Sequence, residues 1–397
     1  MERNEGYRLP FWKGFFYLLV AVGSILTVLR YVRGLGAVTN LSDAYPWGLW
    51  VGFDVLCGVG LAAGGFTIAA VVHIFNIRRF QPILRSTILT AFLGYLLVVV
   101  ALLLDLGRPW NLWHPLVMWN PHSVLFEVAW CVMLYTTVLA LEFSEVVFEK
   151  LGWTRALRIH HGFMLPLVLA GVLLSTLHQS SLGALYLIVP GKLHPLWYTA
   201  RLPFIFFASS VCAGLAMVIV ESRLSARAFG RALEMPIVGE LGRILVAALG
   251  VFGVLRLYDL WDRGVLALAL RPSYESAMFA LEFVLGLILP MALLAFPRLR
   301  ANTHGLYVAS LLVVMGFVVN RLNVSITGLE AAQGGQYIPA WSEIMLTLML
   351  VGLGFAAFAL AVRYLNVYPA EGEAAPAPGA RTAPPALREV IQFPGAR

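Results

Sequence analysis

Long apolar stretches alternate with short polar loops along most of this chain. Ten stretches are long enough to cross a bilayer, which takes about twenty apolar residues in helical form. The predicted spans are residues 12–32, 47–75, 83–104, 123–147, 161–188, 197–221, 240–261, 275–297, 304–322 and 342–364. Lipid offers the backbone no hydrogen-bond partner, so spans of this length are helical. The pattern predicts an all-α, polytopic integral membrane protein with ten transmembrane helices.

The composition supports a membrane protein and excludes a nucleic-acid partner. Of 397 residues, 60% are hydrophobic and 12% charged, about half the charged share of a soluble domain. The net charge of +7 comes from Lys and Arg in short loops beside the predicted helices. These residues are more numerous after even-numbered spans, which predicts that both termini lie in the cytoplasm of a bacterial inner membrane.

The loops leave no room for a large soluble domain, so a partner subunit must supply any large soluble function. We expect residues 1–368 to form one membrane domain, with helices 2–5 and 6–9 as two four-helix bundles and helices 1 and 10 flanking them. Residues 369–397 are rich in Ala, Pro and Glu and predict a disordered cytoplasmic tail. Cys57, Cys131 and Cys212 lack cluster-ligand spacing, so no iron–sulfur cluster and no metal site are predicted in this chain.

Polar residues gather near the predicted outer ends of helices 2–5. A quinone pocket needs an apolar slot, hydrogen-bond donors and a nearby titratable group. The candidate quinone-binding residues are Trp47, Asp54, Asp105, Arg108, His122 and His178. Asp105, His178 and Glu127 are the candidate catalytic groups that exchange protons with the quinone. The alternative is an aromatic interface belt with local caps and ion pairs, such as Asp105 with Arg108.

Helix 4 links this outer cluster to a second polar set near the inner face. Glu127, Tyr135 and Glu142 fall near one helical stripe, and His73 lies at the inner end of helix 2. This arrangement predicts a proton route through Glu127, Tyr135, Glu142 and His73, with an ordinary packing stripe as the alternative. The inner set also contains Glu145, His160 and His161.

Two further functions fit parts of the pattern. A dihaem cytochrome b would pair His122 with His178 and His73 with His161, although His160 and His161 are expected in a loop. A secondary transporter is the other alternative, but transporters often have broken helices at the midplane, which is mostly apolar here. The polar residues of the second half, Arg256, Glu282 and Arg321 among them, predict a structural ion-pair network.

Four segments resemble the NrfD/PsrC family, and within it the HybB-like branch of ten-helix membrane subunits. They are PWGLWVGFDVLCGVGLAAGGF (46–66), LDLGRPWNLWHP (104–115), WNPHSVLFEVAWCVMLY (119–135) and HQSSLGALYLIVP (178–190). The resemblance implies a haem-free subunit that binds menaquinone or ubiquinone in its first bundle, near Asp105 and Arg108 of DLGRP and His178 of HQSSLG.

The resemblance also implies the partners. Members of the family exchange electrons between the quinone pool and a periplasmic, ferredoxin-like iron–sulfur subunit, beyond which lies a catalytic subunit such as a [NiFe] hydrogenase. The expected function is therefore that of a non-autonomous, quinone-reactive subunit of a respiratory oxidoreductase complex. The predicted proton route would couple its turnover to proton translocation.

Overall fold

The computed structural model describes residues 8–188, 191–333 and 335–368, and within them the chain is helical with no strand. The ten long apolar helices, α1 to α10, are Phe11–Arg33, Trp50–Ile74, Arg78–Asp105, Val124–Leu151, Thr154–Leu185, Leu202–Ala228, Met235–Asp262, Tyr274–Ala295, Thr303–Gln333 and Trp341–Tyr364. The prediction of an all-α protein with ten membrane-spanning helices is confirmed.

The helices pack as two groups that share a long contact. Helices α2 to α5 pack against one another, as do α6 to α9, and α6 lies against both α2 and α5. Helix α1 packs on α10, which in turn packs on α3. After ten crossings both ends of the helical part lie on one side, called here the terminal face; the other side is the opposite face. The predicted tail, residues 369–397, falls outside the described residues.

Glycines bring helices into backbone contact at two places. A Cβ on Gly64 of α2 would lie 2.9 Å from the carbonyl oxygen of Gly214 in α6. A Cβ on Gly286 of α8 would lie 3.1 Å from the Cα of Gly316 in α9. Helices in lipid associate through such close packing of small residues, because lipid tails are as apolar as the side chains they replace. The first contact joins the two bundles, and the second holds α8 against α9.

Helix α5 begins earlier than its apolar stretch. Gly152, with φ of 69°, ends α4 in the left-handed conformation, and α5 starts two residues later at Thr154. His160 and His161 therefore lie on α5, and the expectation that they occupy a loop is wrong. A helix satisfies its own backbone hydrogen bonds and can extend past the hydrocarbon region, so hydropathy marks the membrane boundary and not the helix end.

Candidate functional site

His178 lies at the centre of the first bundle, on α5. Its side chain is completely buried, and its Nδ1 lies 2.9 Å from the hydroxyl of Tyr95 on α3. Its Nε2 is also buried and has no hydrogen-bond partner among the described residues. Buried polar atoms are nearly always paired, so an unpaired ring nitrogen marks a place for a water molecule or a ligand.

Further unpaired polar atoms continue from His178 toward the terminal face. The ring of Tyr95 packs edge-on against that of Tyr135 in α4, with 4.6 Å between the ring centroids. Ser175 lies one turn before His178, beside both tyrosines. The hydroxyls of Tyr135 and Ser175 are buried without a partner in the described part of the chain.

Glu142 continues this line on α4. Its side chain is 5% exposed. A Cβ on Gly171 of α5 would lie 3.3 Å from its Oε1 and 3.8 Å from Cε2 of Tyr135, so the glycine leaves room between them. His178, Tyr95, Ser175, Tyr135 and Glu142 are called the polar column below. With Glu127 at its other end, it covers residues 127–142 of α4, a rise of about 22 Å out of the roughly 30 Å hydrocarbon thickness.

The residues that follow His178 on α5 also form hydrogen bonds with neighbouring helices. Ser181 donates a hydrogen bond of 2.5 Å to Oε1 of Glu127, near the start of α4. Gln179 donates to the carbonyl oxygen of Val59 in α2 and accepts a 2.7 Å hydrogen bond from Ser210 in α6. The HQSS segment, about one turn of α5, thus forms hydrogen bonds with four neighbouring helices, α2, α3, α4 and α6.

Asp54 and Asp105 belong to a different side of the first bundle. Asp54 accepts a 2.9 Å hydrogen bond from Thr347 of α10. Asp105 ends α3, where its neighbouring charges are Arg30 of α1 and Glu343 of α10. Arg30 is buried and donates to the carbonyl oxygens of Leu104 and Leu106, which caps the end of α3. No hydrogen bond joins either aspartate to His178 among the described residues.

The other candidates near the opposite face lie at the surface. Arg108 and His122 are exposed, and neither takes part in an ion pair among the described residues. The alternative of an Asp105–Arg108 ion pair is therefore not seen, and the positive charge that acts on Asp105 is that of Arg30. Trp47 is half-buried and packs edge-on against Tyr186, with 5.3 Å between ring centroids.

At the terminal face, α4 and α5 carry a second polar cluster. Glu145 forms an ion pair with Arg85 at 3.4 Å, and its Oε1 lies 3.5 Å from the Nε2 of His161. The Nε2 of His160 donates to the carbonyl oxygen of Leu141 at 2.9 Å. His73, at the end of α2, is half-buried and lies within range of the charge of Glu145. The cluster thus lies just beyond the Glu142 end of the polar column.

The second bundle contains a buried network around Glu282. This carboxylate accepts hydrogen bonds from Trp197 at 3.0 Å, Asn320 at 3.1 Å and Asn323 at 2.7 Å, and Arg256 lies 3.7 Å away. Arg321 is 1% exposed and donates to Asn320, Ser209, Ser210 and the Phe206 carbonyl.

Through Ser210 this network reaches Gln179. Ser210 accepts from Arg321 at 3.2 Å and donates to Gln179 at 2.7 Å, so a continuous set of hydrogen bonds joins the bundles. Sequence reasoning placed the charged residues of the second half in such a network but missed its link to the first bundle.

Comparison with known proteins gives a consistent result. The family model "Polysulphide reductase, NrfD" matches residues 37–332. A protein of Nitratidesulfovibrio vulgaris, named only "Protein", is 40% identical over 345 residues, covering 84% of this chain and 88% of its own length. The probable Ni/Fe-hydrogenase 2 b-type cytochrome subunit of Escherichia coli is 34% identical, covering 88% and 91%. The integral membrane subunit of the N. vulgaris menaquinone reductase is 29% identical, covering 94% and 95%.

Proposed function

Because the chain belongs to the NrfD family, we propose that it is the quinone-reactive, haem-free membrane subunit of a respiratory oxidoreductase complex. One relative is named as a subunit of a menaquinone reductase and another as a subunit of a Ni/Fe-hydrogenase, and each matches this chain over almost its whole length. The first name supports a quinone as the substrate, and the second favours a hydrogenase as the catalytic partner. A ferredoxin-like iron–sulfur subunit on the opposite face would carry electrons between the two.

The observation that carries this proposal is the unpaired Nε2 of His178. When the Tyr95 hydroxyl donates to Nδ1, the ring proton is on Nε2, which becomes a buried donor aimed away from Tyr95. A quinone carbonyl oxygen is the acceptor that such a donor suits. Bound quinone would accept or release two electrons and two protons, and His178 would hold the proton at the carbonyl oxygen.

The other candidate residues near His178 have separate roles in this proposal. Glu127 is hydrogen-bonded to Ser181, which lies one turn beyond His178 on α5, and would relay protons between the quinone and the route through Tyr135 and Glu142. Asp105 and Asp54 lie on the side that faces α1 and α10, where they would border the headgroup together with Trp47. Arg108 and His122 are exposed, so they would act at the entrance to the quinone pocket.

The polar column supplies a proton route toward the terminal face. Tyr135 and Ser175 have free hydroxyls between His178 and Glu142, and water molecules would complete the chain between them. With the terminal face in the cytoplasm of a bacterial inner membrane, protons would arrive from one side and electrons from the other. Turnover would then move charge across the membrane.

A b-type haem is the competing function, favoured by the printed name of the E. coli relative. His178 would be its strongest ligand, because Nε2 is free. A reduced-minus-oxidised spectrum of the purified complex decides between the two: we expect no b-type band. A band that disappears in His178→Ala would refute the haem-free proposal.

The direct test compares His178→Ala and Asp105→Asn with His304→Ala, a change of an exposed histidine at the start of α9. Quinone turnover is measured on complexes whose subunits still co-purify, because an assembly defect would mimic a catalytic one. Loss of a proton-exchanging group costs on the order of a hundredfold or more in rate. Intact His178→Ala and Asp105→Asn complexes with the activity of the His304→Ala control would place the quinone elsewhere.

A further inference from the structure

The terminal ends of α4 and α5 bring three metal-ligating side chains together. One ring nitrogen each of His160 and His161 and a carboxylate oxygen of Glu145 all lie within 4.8 Å of one another. Glu145 comes from α4 and the two histidines from consecutive positions of α5. The polar column uses none of these atoms.

The hydrogen bond of His160 prepares it as a ligand. A carbonyl oxygen only accepts, so the 2.9 Å bond to Leu141 requires the proton on Nε2. Nδ1 then carries a lone pair, and it is buried without a partner among the described residues. Metal-bound histidines typically donate their second ring N–H to a backbone carbonyl in this way, which fixes the tautomer and orients the ring. His160 has this arrangement before any ion is bound.

The spacing of the other two ligands also fits an ion. In a tetrahedral site with bonds of about 2.0–2.1 Å, neighbouring ligand atoms are about 3.3–3.4 Å apart. The Nε2 of His161 and the Oε1 of Glu145 are 3.5 Å apart. His161 is 60% exposed, so its ring can turn toward a shared ion without disturbing the core.

The local charge balance favours a cation. Arg85 lies 2.6 Å from Glu149 and 3.4 Å from Glu145, so one guanidinium faces two carboxylates. The group therefore keeps one negative charge when His160 and His161 are neutral. Arg85 lies closer to Glu149, so its contact with Glu145 is the longer and weaker of the two.

We propose that Glu145, His160 and His161 bind a divalent first-row transition ion, with Zn²⁺ as the best fit. Two imidazoles and one carboxylate suit Zn²⁺, whereas Mg²⁺ and Ca²⁺ prefer oxygen ligands. Three protein ligands leave one position of a tetrahedral ion for water.

The position of this site suggests what the ion does. Glu145 follows Glu142 by three residues on α4, so the two carboxylates lie on one face of that helix. An ion held there would obstruct proton entry to the polar column from the terminal face. This consequence rests on the proposed function, whereas binding of the ion does not.

The experiment measures Zn²⁺ binding to the purified, intact complex, which carries an affinity tag without histidine. The wild-type complex should bind one Zn²⁺ per chain. In His161→Ala and in Glu145→Gln this binding should be lost, or its affinity should fall at least tenfold. Loss of a residue that only hydrogen-bonds a metal ligand already costs about 10–100-fold in affinity. His304→Ala, at an exposed histidine of α9, should bind as the wild type does. His161 is exposed, so its variant keeps the fold.

Two results would overturn the site: wild-type complex that binds no Zn²⁺ at micromolar concentrations, or variants that bind it as tightly as the wild type. A separate arm measures quinone turnover with and without Zn²⁺. Inhibition in the wild type that is relieved in His161→Ala supports obstruction of the proton route. If Zn²⁺ binds but does not inhibit quinone turnover, the metal site stands and its proposed connection to the proton route is refuted.

Discussion

Replacing Tyr95 by Phe tests whether the hydroxyl on α3 sets the state of His178. The change keeps the ring, and with it the 4.6 Å contact to Tyr135, but removes the partner of Nδ1. Leaving a buried polar atom without its partner costs about 1–3 kcal/mol. Without that bond, the ring orientation of His178 that directs Nδ1 toward α3 is favoured less by the same amount.

If turnover needs the ring orientation that Tyr95 selects, the rate falls by a corresponding factor. Since 1.36 kcal/mol is tenfold, we expect a decrease of about five- to 150-fold in quinone turnover. The assay uses intact complexes of Tyr95→Phe, His178→Ala and the double variant. The double variant should be no slower than His178→Ala, because Tyr95 acts through His178.

The matched control is Tyr307→Phe, a half-buried tyrosine of α9 that packs on the core of the second bundle. It should turn over at the wild-type rate. Wild-type turnover in Tyr95→Phe together with an inactive His178→Ala would refute the reasoning, because His178 would then act without the hydroxyl. An additive loss in the double variant would show that Tyr95 has its own contact with the quinone.

Three other outcomes are expected. Glu142→Gln should slow quinone turnover and abolish proton translocation, measured in vesicles, while the KM for quinone stays unchanged; normal translocation would exclude the polar column. Arg321→Gln should lower the thermal stability of the complex, because it removes four buried hydrogen bonds. Its activity per intact complex should stay near that of the wild type, and an inactive but intact variant would place the chemistry in the second bundle. Reporter fusions after Arg79 and after Gly191 should report the cytoplasm and the periplasm respectively, and the same side for both would contradict the proposed topology.

The sequence predicted the helices well because each span must hide its backbone from lipid, and hydropathy records that requirement directly. It failed where a helix leaves the membrane. The segment RALRIHH contains two arginines and two histidines and no apolar run, yet α5 continues through it. The same extension brings His160 and His161 beside Glu145, which explains why no metal site was predicted from the sequence.

The candidate site was predictable only in part. His178, Glu127 and Glu142 stand out as ionisable residues in apolar stretches. Tyr95 does not, because a tyrosine in a membrane span has many ordinary roles and its partner lies 83 positions away. Arg30 and Thr347 were missed for a similar reason: their contacts depend on how α1 and α10 pack against the first bundle.

One feature of α5 has consequences for the motion of the whole subunit. His178 and Gln179 are consecutive, and their side chains are held by opposite neighbours, Tyr95 of the first bundle and Ser210 beside Arg321. A rotation of α5 that turns the imidazole must also pull on the amide next to it. The second bundle therefore restrains the imidazole through the adjacent residue, in addition to the Gly64–Gly214 contact that already joins the two bundles.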